Sequence, residues 1–327
     1  MLLLSILALA TGGGGLLLSA GSPKTTVLVG EPVKLVLTWR TTEPVRVIFE
    51  DGQFDSRSAL GFAVDGGKGP RLYLEHGHER GSDFVTVASL KPGDRWICNL
   101  VLVRGSYANA PTLRERRSLG PSDYLEGFVF SRPGQYTIKV QHFINDSYGP
   151  LAESNAVAFT VVEPSGDDLA VFQRVAKDPE ILAGRGEADA LLRKYPKSPY
   201  LRWARIRRIG QMDANVGNGY DPEKGIRSNQ PPLHKEEREL MTRDFDERVA
   251  QELLSEEDWG AFEEERLALG LRHARDESIA AIFRKQLFEK FPDSRAVNEI
   301  KEEERESGED HVDSYSHAAP KPTPRPE

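Results

Sequence analysis

The spacing of apolar residues changes period once in this chain, across Glu163-Pro164-Ser165-Gly166-Asp167, and that change limits what the two sides can fold into. Before it, apolar side chains recur at every second position, the period of a strand with one buried and one wet face. Val33, Leu35, Leu37 and Trp39 alternate with Lys34, Val36, Thr38 and Arg40, and Tyr136, Ile138 and Val140 alternate with Gln135, Thr137 and Lys139. After it the spacing lengthens to that of a helix. Leu201, Ala204 and Ile209, then Phe262, Leu267 and Leu271, then Ile279, Ile282, Phe283 and Leu287 form helix faces that must bury against partners. A chain of 327 residues exceeds what one compact sandwich uses. Two separately folding units are therefore expected, with Pro164 and Gly166 punctuating the junction.

In the first unit, Pro133-Gly134 has the residues of a type II turn, proline setting the first φ and glycine supplying the positive one. Lys91-Pro92-Gly93-Asp94 is a second such signal, and the Gly-rich stretch from Gln53 to Gly69 reads as an insertion. Seven to nine short strands without amphipathic helices between them predict an antiparallel sandwich over residues 24–163. The run Pro133-Gly134-Gln135-Tyr136 resembles the tyrosine corner of immunoglobulin-like domains, and the stretch as a whole resembles a bacterial immunoglobulin-like β-sandwich. That resemblance implies a Tyr136 hydroxyl bonded to backbone, and it puts Leu35 or Leu37 and Ile138 where antibody domains carry cysteines.

In the second unit, Asp178-Pro179 and Ser198-Pro199 are N-cap and N1 pairs, and Ser255-Glu256-Glu257-Asp258 has capping-box spacing. Gly210 and Gly270 sit where helices would end. Leu191 to Ser198 parallels Leu287 to Ser294: each ends a helix at an aromatic-Pro pair and caps the next with Ser. This resembles the tetratricopeptide-like (TPR-like) repeats of exported bacterial proteins. The offset of 96 residues is no multiple of 34, so a divergent all-α helical-hairpin domain is expected over 167–306. The fold class expected is thus multidomain β + α. Residues 307–327, acidic and then Pro-rich, are expected to be a disordered tail.

Residues 1–20 resemble a signal peptide. They are apolar, interrupted by Gly12 to Gly15, without charge before Lys24, and end on the small residue Ala20. Cleavage near Ala20 and a secreted or periplasmic location in the cell envelope are expected, with no stable membrane insertion afterwards. Cys98 has no second cysteine to pair with and reads as a small core residue. The net charge of −8 is uneven: residues 24–163 hold 16 basic and 16 acidic side chains, leaving 27 against 35 elsewhere. Nucleic acid is a poor partner for such a chain.

Chemistry-bearing patterns are few. Glu75-His76-Gly77-His78-Glu79 gathers metal-ligand types that suit Zn²⁺ or Cu²⁺, but His-x-His in a hairpin loop is common and no third ligand is evident, so a solvated turn is expected. No Gly-x-Ser-x-Gly, His-Glu-x-x-His or phosphate loop is present. His142 reads as a strand-end residue, Asn145-Asp146-Ser147 has glycosylation spacing, and Asp213 to Pro232 reads as a long loop suited to a functional surface. No catalytic, cofactor or metal residue is assigned. The expectation is an exported, non-enzymatic binding or scaffolding protein with a protein or peptide partner. A hydrolase-type or metal-dependent enzyme, or a carbohydrate-binding module, is the alternative.

Overall fold

The computed structural model describes residues 10–11, 15–50, 60–75, 85–108, 110, 112, 114–115, 121–143, 151–217, 235–255 and 259–313. Strands come first: β1 (Ala10–Thr11), β2 (Leu16–Gly21), β3 (Thr26–Leu28), β4 (Val33–Thr41), β5 (Val45–Glu50), β6 (Leu60–Asp65) and β7 (Pro70–Glu75). They continue with β8 (Val85–Leu90), β9 (Arg95–Leu102), β10 (Arg104–Ala108), β11 (Tyr124–Phe128), β12 (Gly134–Phe143), β13 (Leu151–Glu153) and β14 (Val157–Val162). Helices follow: α1 (Gly166–Lys177), α2 (Ala188–Lys194), α3 (Pro199–Gly217), α4 (Lys235–Ser255), α5 (Glu263–His273), α6 (Glu277–Lys290) and α7 (Arg295–Asp313).

One sheet has the order β1-β2-β4-β9, a larger one β11-β10-β7-β6-β12-β14-β3 with β13 added on β12, and β5 pairs with β8. The strict alternation in β4 turns Leu35, Leu37 and Trp39 inward, where they share one core with Phe62, Val64, Ile138, Val140 and Phe159 of the larger sheet. At the entry to β12 the Tyr136 hydroxyl donates to the Arg132 carbonyl at 3.0 Å, so the corner contact is present. Gly134 has φ +150°, well away from the value near +80° of a type II turn.

The apolar segment before Lys24 is part of this core. Leu18 pairs with Trp39 and Ala20 with Leu37, and Leu16 and Leu18 are buried. Asn155 clamps Ala20 from both sides, accepting from its N–H at 3.0 Å and donating to its carbonyl at 2.9 Å. Cleavage after Ala20 would leave one edge of β4 unpaired.

The expected fold class, an immunoglobulin-like antiparallel sandwich followed by a separate all-α, TPR-like region, is overturned. The larger sheet is mixed, because β14 and β3 run parallel, and α1, α3, α5 and α7 make contact with strand residues. Phe172 of α1 lies between Phe128 and Tyr200, with ring centroids 6.3 and 5.9 Å away. The Tyr200 hydroxyl of α3 donates to the Val29 carbonyl at 2.6 Å. A Cβ on Gly30, whose φ is +72°, would lie 2.7 Å from the Phe172 ring, so glycine is required there both by conformation and by space. Val101 of β9 and Val103, just after that strand, belong to the same apolar clusters as the helices. Lys34, on the outward face of β4, is 3 % exposed because α5 covers it. The period of two marks which face of a strand points into the first core, but it is silent on whether the other face receives a helix.

Helix punctuation is met in part. Ser294 accepts from the Val297 N–H at 3.3 Å as a cap, but the Ser198 hydroxyl is diverted to Asp168 of α1 at 2.8 Å. Asp178 caps a short 3-10 turn, Pro179–Ala183, by accepting from the Glu180 N–H. Ser255 closes α4 rather than opening a helix, and Gly210 lies inside α3. Gly270 lies inside α5, where a Cβ would meet the Phe283 ring at 2.3 Å, so its smallness serves close approach of α6. Helix α7 runs to Asp313, into the segment expected to be a tail. Among the described residues no helix is long and apolar enough to cross a membrane.

Candidate functional site

Three of the patterns singled out in the sequence fall on residues that decide little. His76 to Glu79, Asn145 to Ser147 and most of Asp213 to Pro232 lie outside the described residues. His142 is a buried β12 residue whose Nδ1 accepts from Trp39 Nε1 at 3.0 Å, a structural role within the core. Cys98 is half-buried in β9 and packs against the sheet core.

The unusual chemistry lies where α3, α4 and α5 meet. Asp246 projects from α4, between the core residues Phe245 and Val249, and is 3 % exposed. His273 occupies the last turn of α5, a position where a helix C-terminus favours positive charge, and is 2 % exposed. Its Nδ1 lies 2.8 Å from Asp246 Oδ1, and its ring meets Phe245 edge-on at 5.5 Å. Arg275, two residues on, donates Nε to Asp246 Oδ2 at 2.7 Å. Both Asp246 oxygens are thus engaged, which is what a buried carboxylate requires.

Two groups here are left over. With Asp246 ionised, Nδ1 is the donor, and His273 Nε2 is buried with no hydrogen-bond partner among the described residues. An unmade bond of that kind costs about 1–3 kcal/mol, so folding alone gives no reason to keep it. Asp213, in the last turns of α3 and half-buried, brings a carboxylate oxygen to the pair, so that Asp213, Asp246 and His273 each offer a ligand atom within 4.8 Å of the others.

Arg275 also borders a cavity of about 470 Å³ over the first half of α4. Lys235, Arg238, Glu239, Thr242 and Arg243 line it, spaced so that one helix face carries them all. Lys235 lies 3.7 Å from Glu239, and Arg243 is 3.9 Å from Glu247. Among the described residues, four cations converge on this cavity with one carboxylate, Glu239, in its lining, in a chain whose net charge is −8.

Sequence reasoning missed Asp246, His273 and Arg275. No short motif joins them: 33 residues separate Asp213 from Asp246 and 27 separate Asp246 from His273. The one available signal was the pair of polar residues, Asp246 beside Phe245 and His273 beside Leu271, on otherwise apolar helix faces.

No protein-family model matches the chain, and neither does any curated protein. Among solved structures, a β-glucosidase from Listeria innocua in complex with gluconolactone is 11 % identical over 45 % of this chain and 16 % of its own, with TM-score 0.22. A chain from a structure of T-cell activation by the bacterial superantigen toxic shock syndrome toxin-1 is 15 % identical over 45 % of this chain and 100 % of its own, with TM-score 0.21. A Bacillus subtilis protein described as a lipoprotein is 9 % identical over 80 % of this chain and 63 % of its own, with TM-score 0.21. The chain spans about a sixth of the length of the first of these. At such TM-scores none of the three carries an argument about fold or function.

Proposed function

We propose that this protein is a non-enzymatic binding protein whose ligand is an acidic peptide segment of a partner protein, held in the α4 cavity. The single observation that carries this reading is the convergence of Lys235, Arg238, Arg243 and Arg275 on one concavity in an acidic chain. A positive concavity focuses the field, steers an oppositely charged ligand and rejects the like-charged surface around it. Thr242 adds a hydroxyl, although its Oγ1 is already turned to the Arg238 carbonyl at 2.9 Å. Asp246 holds Arg275 in place beneath the cavity. Action outside the cytoplasm belongs to the same proposal, with any processing falling before Leu16, since β2 is a core strand.

Fluorescence anisotropy with a labelled Asp/Glu-rich peptide tests the ligand class. Binding should weaken steeply as salt rises and should vanish for the Asn/Gln version of the peptide. The double variant Arg238→Ala, Arg243→Ala should lose roughly tenfold or more in affinity. Equal binding of the acidic and neutral peptides would sink the proposal.

A further inference from the structure

We infer that Asp213, Asp246 and His273 form a binding site for a first-row divalent transition-metal ion. Three independent segments, the ends of α3 and α5 and the middle of α4, deliver these side chains to one point, and each offers a ligand atom within 4.8 Å of the other two. Bonds of about 2.0–2.2 Å in a tetrahedral site hold ligand atoms about 3.3–3.6 Å apart, so side-chain movements of up to about 1 Å close the set. Two further features point to a cation. His273 is almost wholly buried, with Nε2 unpartnered among the described residues. The Asp213 carboxylate has no ion pair or hydrogen bond among the described residues, although it faces a second carboxylate.

Charge accounting agrees. Arg275 offsets one of the two carboxylates, through Asp246 Oδ2, and with neutral His273 the cluster keeps one net negative charge. Of the nearby cavity cations, Lys235 and Arg243 stand beside carboxylates of their own, Glu239 and Glu247. His273 Nδ1 lies 2.8 Å from Asp246 Oδ1, so the two can hold one ion between them through these atoms, with the ring proton on Nε2. One imidazole with carboxylate oxygens suits zinc, manganese, iron or cobalt better than magnesium or calcium, which favour all-oxygen sets.

The test uses the full chain, stripped with a chelator and titrated with Co²⁺ while its visible absorption is followed, then with Zn²⁺ in competition. One equivalent of Co²⁺ should give a ligand-field spectrum that Zn²⁺ abolishes. Asp213→Asn should weaken the ion by roughly tenfold or more, as should His273→Asn. Zn²⁺ should raise the Tm of the wild type but not that of Asp213→Asn. Asp213 is half-buried and has no partner among the described residues, so its variant keeps the test alive should His273→Asn fail to fold. No spectral change, or the same titration in wild type and Asp213→Asn, overturns the inference. Acidic-peptide binding measured on the stripped protein reports on the cavity separately.

Discussion

The two ends of α5 handle buried charge in opposite ways. Its first turn carries Glu263, Glu264 and Glu265, and every one is answered. Arg266 forks onto Glu263 with Nε and an Nη at 2.8 and 2.9 Å, while Lys290 and the Trp259 N–H take the remaining lone pairs. Lys34 from β4 and Asn99 from β9 meet Glu264 at 3.0 and 2.8 Å, and Lys34 also meets Glu265. The last turn carries His273, with one nitrogen answered and the other without a partner among the described residues. A satisfied buried network fixes how helix and sheets fit together. A half-satisfied one costs stability and is the kind of place where a ligand completes the set.

The largest effect expected from breaking this contrast is at the satisfied end. Arg266→Met leaves Glu263 buried with only Lys290 and one amide, and should cost about 3–5 kcal/mol in urea denaturation. A loss below about 1 kcal/mol would remove the architectural reading.

Acid comes next. Burial opposes the charge on Glu263, but bonds from Arg266, Lys290 and the Trp259 amide outweigh it and hold the carboxyl at about 2, below its ordinary 4.5. A carboxyl depressed in the folded state contributes stability that is complete above pH 4.5 and is lost as pH falls toward 2. The contribution is about 3 kcal/mol. Glu265 has the opposite sign: burial raises its carboxyl, Lys34 offsetting part, so acid relieves it. The urea midpoint of Glu263→Gln should therefore fall less between pH 4.5 and 2 than that of the wild type.

Lys34→Met should cost less, about 2 kcal/mol, because Glu264 keeps Asn99 and Glu265, already raised, can take up a proton. The loss should shrink on mild acidification, as the abandoned Glu265 carboxyl, raised by burial, protonates. At the unsatisfied end, Asp213→Asn in chelator should shift stability by less than about 0.5 kcal/mol in either direction. A large loss there would make Asp213 a folding residue and erase the contrast between the two ends.

The β half was legible to the extent that one face of each strand decides it. Leu35, Leu37 and Trp39 are inward as their alternation says, and Tyr136 makes its corner bond. Leu16 to Ala20 pair with β4, a placement their composition does not reveal, because an apolar run reads the same in a leader as in a core strand. Gly270 looked like a helix terminus, yet it is a contact point for Phe283.

Local periodicity and turn chemistry act over a few residues, and so the sequence by itself determined that strands precede helices, where the period changes, and which strand faces make the first core. Tertiary structure alone decided that Lys34 would be buried under α5, 230 residues away in sequence from Glu264, and that α1 and α3 would pack on strand residues. It alone decided that Asp213, Asp246 and His273 would meet. Contacts of that kind form only once three helix axes are fixed by packing, and neither the spacing of the residues along the chain nor their types records the angle at which the helices cross.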